Sequence, residues 1–254
     1  MITHGFVLNK GTFEQVDHPD ADVFTSVNGV NAKGERAGIY RVAGRNYAYF
    51  WRKGKFTKLD LPGWTFSQAY FLNDKGQVVG YSKDADGKRH GFVWHKGHFT
   101  TPLDADGADS TGTRLIGIND RGQIVGFYQD SAPAPADRRS HGLLLSDDKY
   151  TTLDVPGAED GKTIAQGINN RGQIVGLYAT TVNGPNHGFV LNDGVYTKVD
   201  VPGSSWTAIT SINAKGEIVG ACGDADGVHV HGFKGTPNGK DEIVGECKGT
   251  PEHY

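Results

Sequence analysis

Five histidines recur at matching places in this 254-residue chain: His4, His90, His141, His187 and His231. Each opens a short apolar run, as in His187-Gly188-Phe189. Imidazole is the commonest metal ligand, but one histidine per repeat keeps the copies apart. The expectation is therefore structural, a hydrogen bond to a neighbouring repeat's backbone. His229-x-His231 and His95-x-x-His98 are closer pairs, yet neither supplies a three- or four-ligand set. Asp-Ala-Asp-Gly occurs at Asp84, Asp104 and Asp224, with Asp20-Ala21-Asp22 related. Alternating carboxylates before Gly are how a calcium loop begins, but the closing Glu is missing, its places being taken by His95, Leu115 and Gly235. Asp and Gly also simply favour turns. The expectation is no cofactor, with calcium the one alternative left open.

Nucleophile elbows, Walker loops and dinucleotide fingerprints are all missing. A comparison of the repeats with one another is more informative. Three equivalent positions vary from copy to copy: Phe24, Phe66, Gly112, Lys162 and Trp206; then Ser26, Gln68, Arg114, Ile164 and Ala208; then Asn28, Tyr70, Ile116, Gln166 and Thr210. A fold that accepts different residues there demands none of them. Phe24, Trp64, Phe66, Gln68, Tyr70, Arg114, Lys162, Gln166 and Trp206 therefore form the candidate ligand-binding set. Aromatic faces suit the C–H surface of a sugar, and Arg and amide groups suit its hydroxyls. The alternative is a hydrolase, lyase or isomerase in the same place. Its acid/base candidates are Asp109, Glu159, Asp160 and His18, with Arg114 or Lys162 steadying negative charge. A third possibility is a protein-interaction platform.

The elements that must hold these residues are legible from the stretch Gly117-Ile118-Asn119-Asp120-Arg121-Gly122-Gln123-Ile124-Val125-Gly126. Its Asn recurs as Asn31, Asn73, Asn119, Asn169 and Asn213, at spacings of 42, 46, 50 and 44 residues. Each copy reads as a β-hairpin whose turn closes on Gly, the residue that accepts positive φ. Between these hairpins lie others, such as His90-Gly91-Phe92 through Asp104. Four strands alternate: a (His-Gly-Phe), b (ending in Asp), c (ending Ile-Asn) and d (Gln-Ile-Val-Gly). A four-stranded repeat of this period is the signature of a propeller blade. The expectation is one all-β domain over 1–254, a five-bladed β-propeller of four-stranded antiparallel blades. The repeats run about 4–46, 47–89, 90–140, 141–186 and 187–230, with a partial closing copy at 231–254. Residues 4–17 are expected to close the ring by joining the blade begun by 207–222, which removes free sheet edges. Strand c is expected innermost, and the longer b→c and d→a connections should share one face with the candidate site.

Glycine, 37 of 254 residues, fits a chain of tight turns, and the net charge of −3 gives no basic footprint for nucleic acid. No apolar run approaches the roughly 18 residues of a membrane span. Met1-Ile2-Thr3 leads straight into the first repeat without a signal-peptide pattern, which leaves a cytoplasmic chain and a mature start both open. The two cysteines, Cys222 and Cys247, each follow Val-Gly-x, and a disulfide between them is one reading and two unpaired residues the other.

Taken together, His-Gly-Phe followed by Phe/Tyr-Thr-x-x-Asp-x-Pro-Gly, and Gly-Ile-Asn-x-Arg-Gly-Gln-Ile-Val-Gly, resemble the HAF-type repeat over nearly the whole chain. That resemblance implies a β-propeller-like repeat protein in an extracellular or cell-surface setting, and carries over no catalytic residue. The pattern is lost at Tyr47-Ala48-Tyr49 and cut short in the last copy. The resulting expectation is a monomeric propeller that binds a small molecule or glycan at the channel mouth.

Overall fold

The structure, a computed structural model, describes residues 2–106, 112–130, 139–158, 161–226 and 228–237. Every regular element among them is a β-strand, so no helix there is long and apolar enough to cross a membrane. The chain divides into two compact units, 1–120 and 121–254.

The first unit holds β1 (Gly5–Asn9), β2 (Thr12–Val16), β3 (Phe24–Val30), β4 (Arg36–Val42), β5 (Arg45–Arg52) and β6 (Lys55–Leu59). It continues with β7 (Phe66–Leu72), β8 (Val78–Lys83), β9 (Arg89–His95), β10 (His98–Leu103) and β11 (Thr113–Ile118). Strands β3-β4-β5-β6 form one antiparallel sheet in chain order, and β7-β8-β9-β10 repeat it. Each is the expected c-d-a-b meander. β1 and β2 pair with one another, from Gly5↔Val16 to Asn9↔Thr12, and Thr3 makes a parallel bridge to Phe24.

The second unit holds β12 (Ile124–Gln129), β13 (Ser140–Ser146), β14 (Lys149–Leu153), β15 (Lys162–Ile168), β16 (Ile174–Ala179), β17 (His187–Asn192) and β18 (Val195–Lys198). It ends with β19 (Trp206–Ile212), β20 (Ile218–Gly223) and β21 (Val230–Gly235). β15-β16-β17-β18 again follow chain order. β19-β20-β21 correct one expectation. The far edge of β20 is filled by β21, from Ile218↔Gly235 to Gly223↔Val230, and not by residues 4–17. The motif His231-Gly232-Phe233 is the chain's own strand a for that sheet. Cys222 is buried and disulfide-bonded; the one other cysteine of the sequence, Cys247, lies outside the described residues.

The local chemistry explains the strand order. The a–b turns are two-residue hairpins with both φ positive, as at Lys53-Gly54 (49° and 82°) and Asp193-Gly194 (50° and 80°), the geometry that matches strand twist. In strand d the glycine of Val-Gly has a different task. A Cβ on Gly80 would collide with the Gln68 carbonyl of strand c and lie 2.8 Å from Cζ of Phe92 in strand a. Gly176 stands in the same way against Ile164 and Phe189. The ring of His-Gly-Phe thus lies on the glycine of Val-Gly, and the two motifs specify one packing contact. Around it gather Ala48, Leu59, Ala69, Leu72, Val78 and Phe92 in the first unit. Val175, Val190, Val199, Ile209 and Ile218 form one of the corresponding clusters in the second.

Candidate functional site

Strand c is where successive sheets meet, within each unit. A Cβ on Gly29 would lie 2.9 Å from Cα of Phe71, and one on Gly167 would lie 3.1 Å from Cα of Ser211. The repeated Asn secures this meeting. Asn73 Oδ1 accepts the N–H groups of Lys75 and Gln77, while Nδ2 donates to Gln77 Oε1 (2.7 Å) and to the Asn119 carbonyl (3.0 Å). Asn31 donates likewise to the Asn73 carbonyl, and Asn169 to that of Asn213. One amide therefore closes its own turn and ties it to the next.

Four of the c strands also carry a bulge. The register skips one residue between Val27 and Gly29, Ala69 and Phe71, Ala165 and Gly167, and Ile209 and Ser211. The skipped residues are Asn28, Tyr70, Gln166 and Thr210, which belong to the third row of variable positions. A bulge leaves one residue out of the ladder and re-aims its side chain. Variability there has a structural reason, since the ladder makes no demand on that residue.

In the first unit this arrangement brings four of the predicted residues together. Phe66 stacks on Tyr81 (centroids 5.3 Å apart, 28° between planes), Tyr70 stacks on the same ring at 6.0 Å, and Gln68 is paired opposite it across β7 and β8. Arg114 and Arg89 stand over Tyr81 at 5.7 and 5.8 Å, and Lys83 stands over Phe66 at 5.2 Å. Burial, then Arg89 and Arg114, push the Lys83 ammonium below its usual range. Burial raises the Tyr70 hydroxyl to about 12, so it stays a neutral donor. Beside Phe66 opens a groove of ≈ 570 Å³ lined by Arg41, Arg45, Asn46, Trp64, Thr65 and Phe66, from the ends of β4, β5 and β7 and the connection before β7. Tyr81, Lys83 and Arg89 were not picked out from sequence. Their signal was the residue after the strand-d glycine. Ile39, Phe127, Leu177 and Ala221 hold the place of Tyr81 in the other repeats, and only Tyr81 has an aromatic residue, Tyr70, at the matching place of its strand c.

Solved structures with this arrangement of sheets are found at low identity. A putative TolB from Agrobacterium tumefaciens matches with a TM-score of 0.61 at 12% identity, covering 92% of this chain and 83% of that one. A triple arginine-to-alanine mutant of AofleA from Arthrobotrys oligospora gives 0.51 at 12%, covering 94% and 77%. The β-propeller domain of the Trilobed protease from Pyrococcus furiosus gives 0.48 at 8%, covering 89% and 81%. The likeness is to the β-propeller fold. No family model matches the chain and no curated protein does, so the HAF-type resemblance rests on its motifs alone.

The remaining propeller positions are placed as follows. Phe24 pairs with Arg41 at the start of β3 and lines a separate groove of ≈ 390 Å³ with Thr3, His4 and Phe6. Trp64 packs on Phe92 and Phe99, at 5.5 and 5.2 Å, so half of its role is core. In the second unit Lys162 opens β15 opposite Ala179, Gln166 is the bulge residue, and the Trp206 indole lies over Gly223. Lys162 and Gln166 share β15, at the places that Phe66 and Tyr70 take in β7, and Trp206 opens β19.

The recurrent histidines bind carboxylates, which corrects the expected backbone bond. Nδ1 of His90, His141 and His187 lies 2.7, 2.8 and 2.8 Å from Asp104, Asp154 and Asp200, each the Asp that ends strand b. His4 and Asp17 repeat the clasp at 2.9 Å. Of the acid/base candidates, Asp109, Glu159 and Asp160 lie outside the described residues. His18 is 6% exposed, stacked face to face on Tyr40 at 3.6 Å, and accepts the Asp20 N–H. Burial holds its imidazole below the ordinary range. It takes the place filled by Leu61, Ala105, Val155 and Val201 elsewhere, a plug over strand c. Beneath the plug a buried Thr receives its N–H: Thr25 from His18 (2.9 Å), Thr113 from Ala105 (2.9 Å), Thr163 from Val155 (3.1 Å) and Thr207 from Val201 (3.0 Å). His18 thus packs as part of the framework over strand c.

Proposed function

We propose that this chain is a ligand-binding β-propeller that takes a small polar molecule or glycan, with its site on the loop face of β7 and β8. The observation that carries this reading is the stack of Phe66, Tyr81 and Tyr70 with Lys83, Arg89 and Arg114 crowded on it. The half-buried rings of Phe66 and Tyr70 offer an apolar wall for the C–H face of a sugar. The Gln68 amide and the Tyr70 hydroxyl beside those rings are groups that hydrogen-bond sugar hydroxyls. The reading counts five blades, one for each Asn-x-x-Gly hairpin. It sets the chain outside the cytoplasm, because a disulfide-bonded Cys222 fits an oxidising compartment.

Calorimetric titration with uronate-bearing and neutral oligosaccharides tests the proposal. Saturable binding of at least one class, weakened tenfold or more by Arg114→Gln, is the expected result. An absence of heat from both classes at millimolar concentration would remove the reading, as would binding unchanged in Arg114→Gln.

A further inference from the structure

The loop that follows β20 departs from its relatives in one respect. In the matching loop after β8, Asp84 alone faces a histidine: its carboxylate lies 3.1 Å from Nε2 of His90, whose Nδ1 is taken by Asp104. After β20 the loop is one residue longer and brings in His229. Nδ1 of His229 lies 3.0 Å from Asp224 Oδ2 and 3.7 Å from Asp226 Oδ2. The three donor atoms lie within 4.8 Å of one another. His231, the strand-a histidine of this copy, has no strand-b Asp on its Nδ1 among the described residues, and its Nε2 stands 3.8 Å from the same Asp224 oxygen. Two carboxylates and one imidazole therefore gather on one loop, with the His231 imidazole of β21 beside them, where the sister loop has a closed clasp.

We infer that Asp224, Asp226 and His229 form a binding site for a divalent transition metal of the zinc type. Donor atoms bound to zinc at 2.0–2.1 Å in a tetrahedron lie roughly 3.3 Å apart, and the separations of 3.0 and 3.7 Å bracket that edge. A neutral imidazole Nδ1–H satisfies one carboxylate oxygen, whereas a cation between the groups satisfies both. The imidazole also decides the kind of metal. Calcium takes six to eight oxygens, while a mixed nitrogen and oxygen set suits zinc and its neighbours. With three protein ligands the fourth position goes to water or to His231. Asp226 and His229 are exposed, with side chains 58% and 68% accessible, so an ion reaches them from solvent and their replacement leaves the fold intact.

The test is calorimetric titration of the oxidised protein with zinc chloride and, separately, calcium chloride. One zinc per chain is expected, with affinity falling at least tenfold in His229→Ala and in Asp226→Asn. His98→Ala, at a hairpin turn elsewhere, should leave it unchanged. Zinc binding equal in the wild type and in His229→Ala would overturn the site, as would no saturable zinc binding, or calcium bound in preference to zinc. None of these results bears on the oligosaccharide titration, because Arg114 and Tyr81 belong to the other unit.

Discussion

Asn73 shows what a single residue contributes to this fold. It is 4% exposed, and its side chain makes four hydrogen bonds, one of them to a carbonyl 46 residues away. Removing it leaves buried backbone groups without partners, at about 1–3 kcal/mol for each group that water cannot reach. Asn73→Ala is expected to lower the unfolding free energy by about 2–3 kcal/mol in urea. Asn73→Asp should be at least as damaging at neutral pH, because a carboxylate then faces the Asn119 carbonyl, and should recover on acidification. The histidines divide by a similar logic. The hydrogen bond that His141 Nδ1 donates to the Asp154 carboxylate raises His141 above its ordinary value, while burial lowers His18 below its own. The stability from the His141 clasp is therefore complete below pH ~6.5 and is lost as pH rises through the raised value. His18 has the opposite sign: its neutral form is the folded one, so stability is lost as pH falls from ~6.5 through the lowered value. NMR titration should place the two midpoints on either side of ~6.5. His18→Leu, which installs the residue found at position 61, should reduce the loss just below pH ~6.5 and leave the carboxylates' loss at lower pH in place; an unchanged acid limb in urea would refute that account. Sequence showed that the Asn never varies but not why, since its partner is distant backbone. The residue after the first variable position, Thr in four copies and Ser67 in the other, is illegible in the sequence for the same reason.

At the scale of the element, the strands were legible because two short motifs describe one contact. Gly176 of strand d is where Phe189 of strand a lies down, 2.8 Å from the space a Cβ would fill. Gly122, by contrast, closes a turn at φ 85° with nothing within 4 Å. The two glycines look alike in the sequence and predict different penalties. Gly176→Ala must displace the ring or the Ile164 carbonyl, and overpacking of this kind costs about 1–3 kcal/mol or more. Gly122→Ala meets only the left-handed backbone, at about 1–2 kcal/mol. The difference is diagnostic in Phe189→Leu. That change removes the ring, so Gly176→Ala should cost less in its background, while Gly122→Ala should cost the same. Additive double mutants in both cases would mean that the ring is not what makes position 176 glycine. The bulge in strand c is the element-scale feature that sequence could not show. It appears only in the pairing register, where Tyr70 and Gln166 drop out of the ladder. The positions had been recognised as variable, but the freedom to vary comes from the bulge.

Over the whole chain, repetition makes the fold readable and also hides its exceptions. His4-Gly5-Phe6 and His231-Gly232-Phe233 are equivalent strings, so sequence offered both for the edge of β20, and the choice of His231 is made by the short connection from β20 to β21. The functional reading depends on the reverse property, loss of equivalence. In the other repeats the place of Tyr81 is held by Ile39, Phe127, Leu177 and Ala221, and that of Tyr70 by Asn28, Ile116, Gln166 and Thr210. None of these pairs can form a stack of two rings. A ligand that needs the Phe66–Tyr81–Tyr70 wall and its cations therefore has one place to bind per chain. A ligand held by the repeated His–Asp clasps or Asn turns would instead find several. The stoichiometry of the oligosaccharide titration separates these cases, with one site per chain expected. Phe66→Ala should abolish that site and leave the unfolding midpoint almost unmoved, since Phe66 is only half-buried and its loss opens no cavity in the core. Several equivalent sites, or one that survives Phe66→Ala, would move the ligand away from β7 and β8 and into the repeated framework.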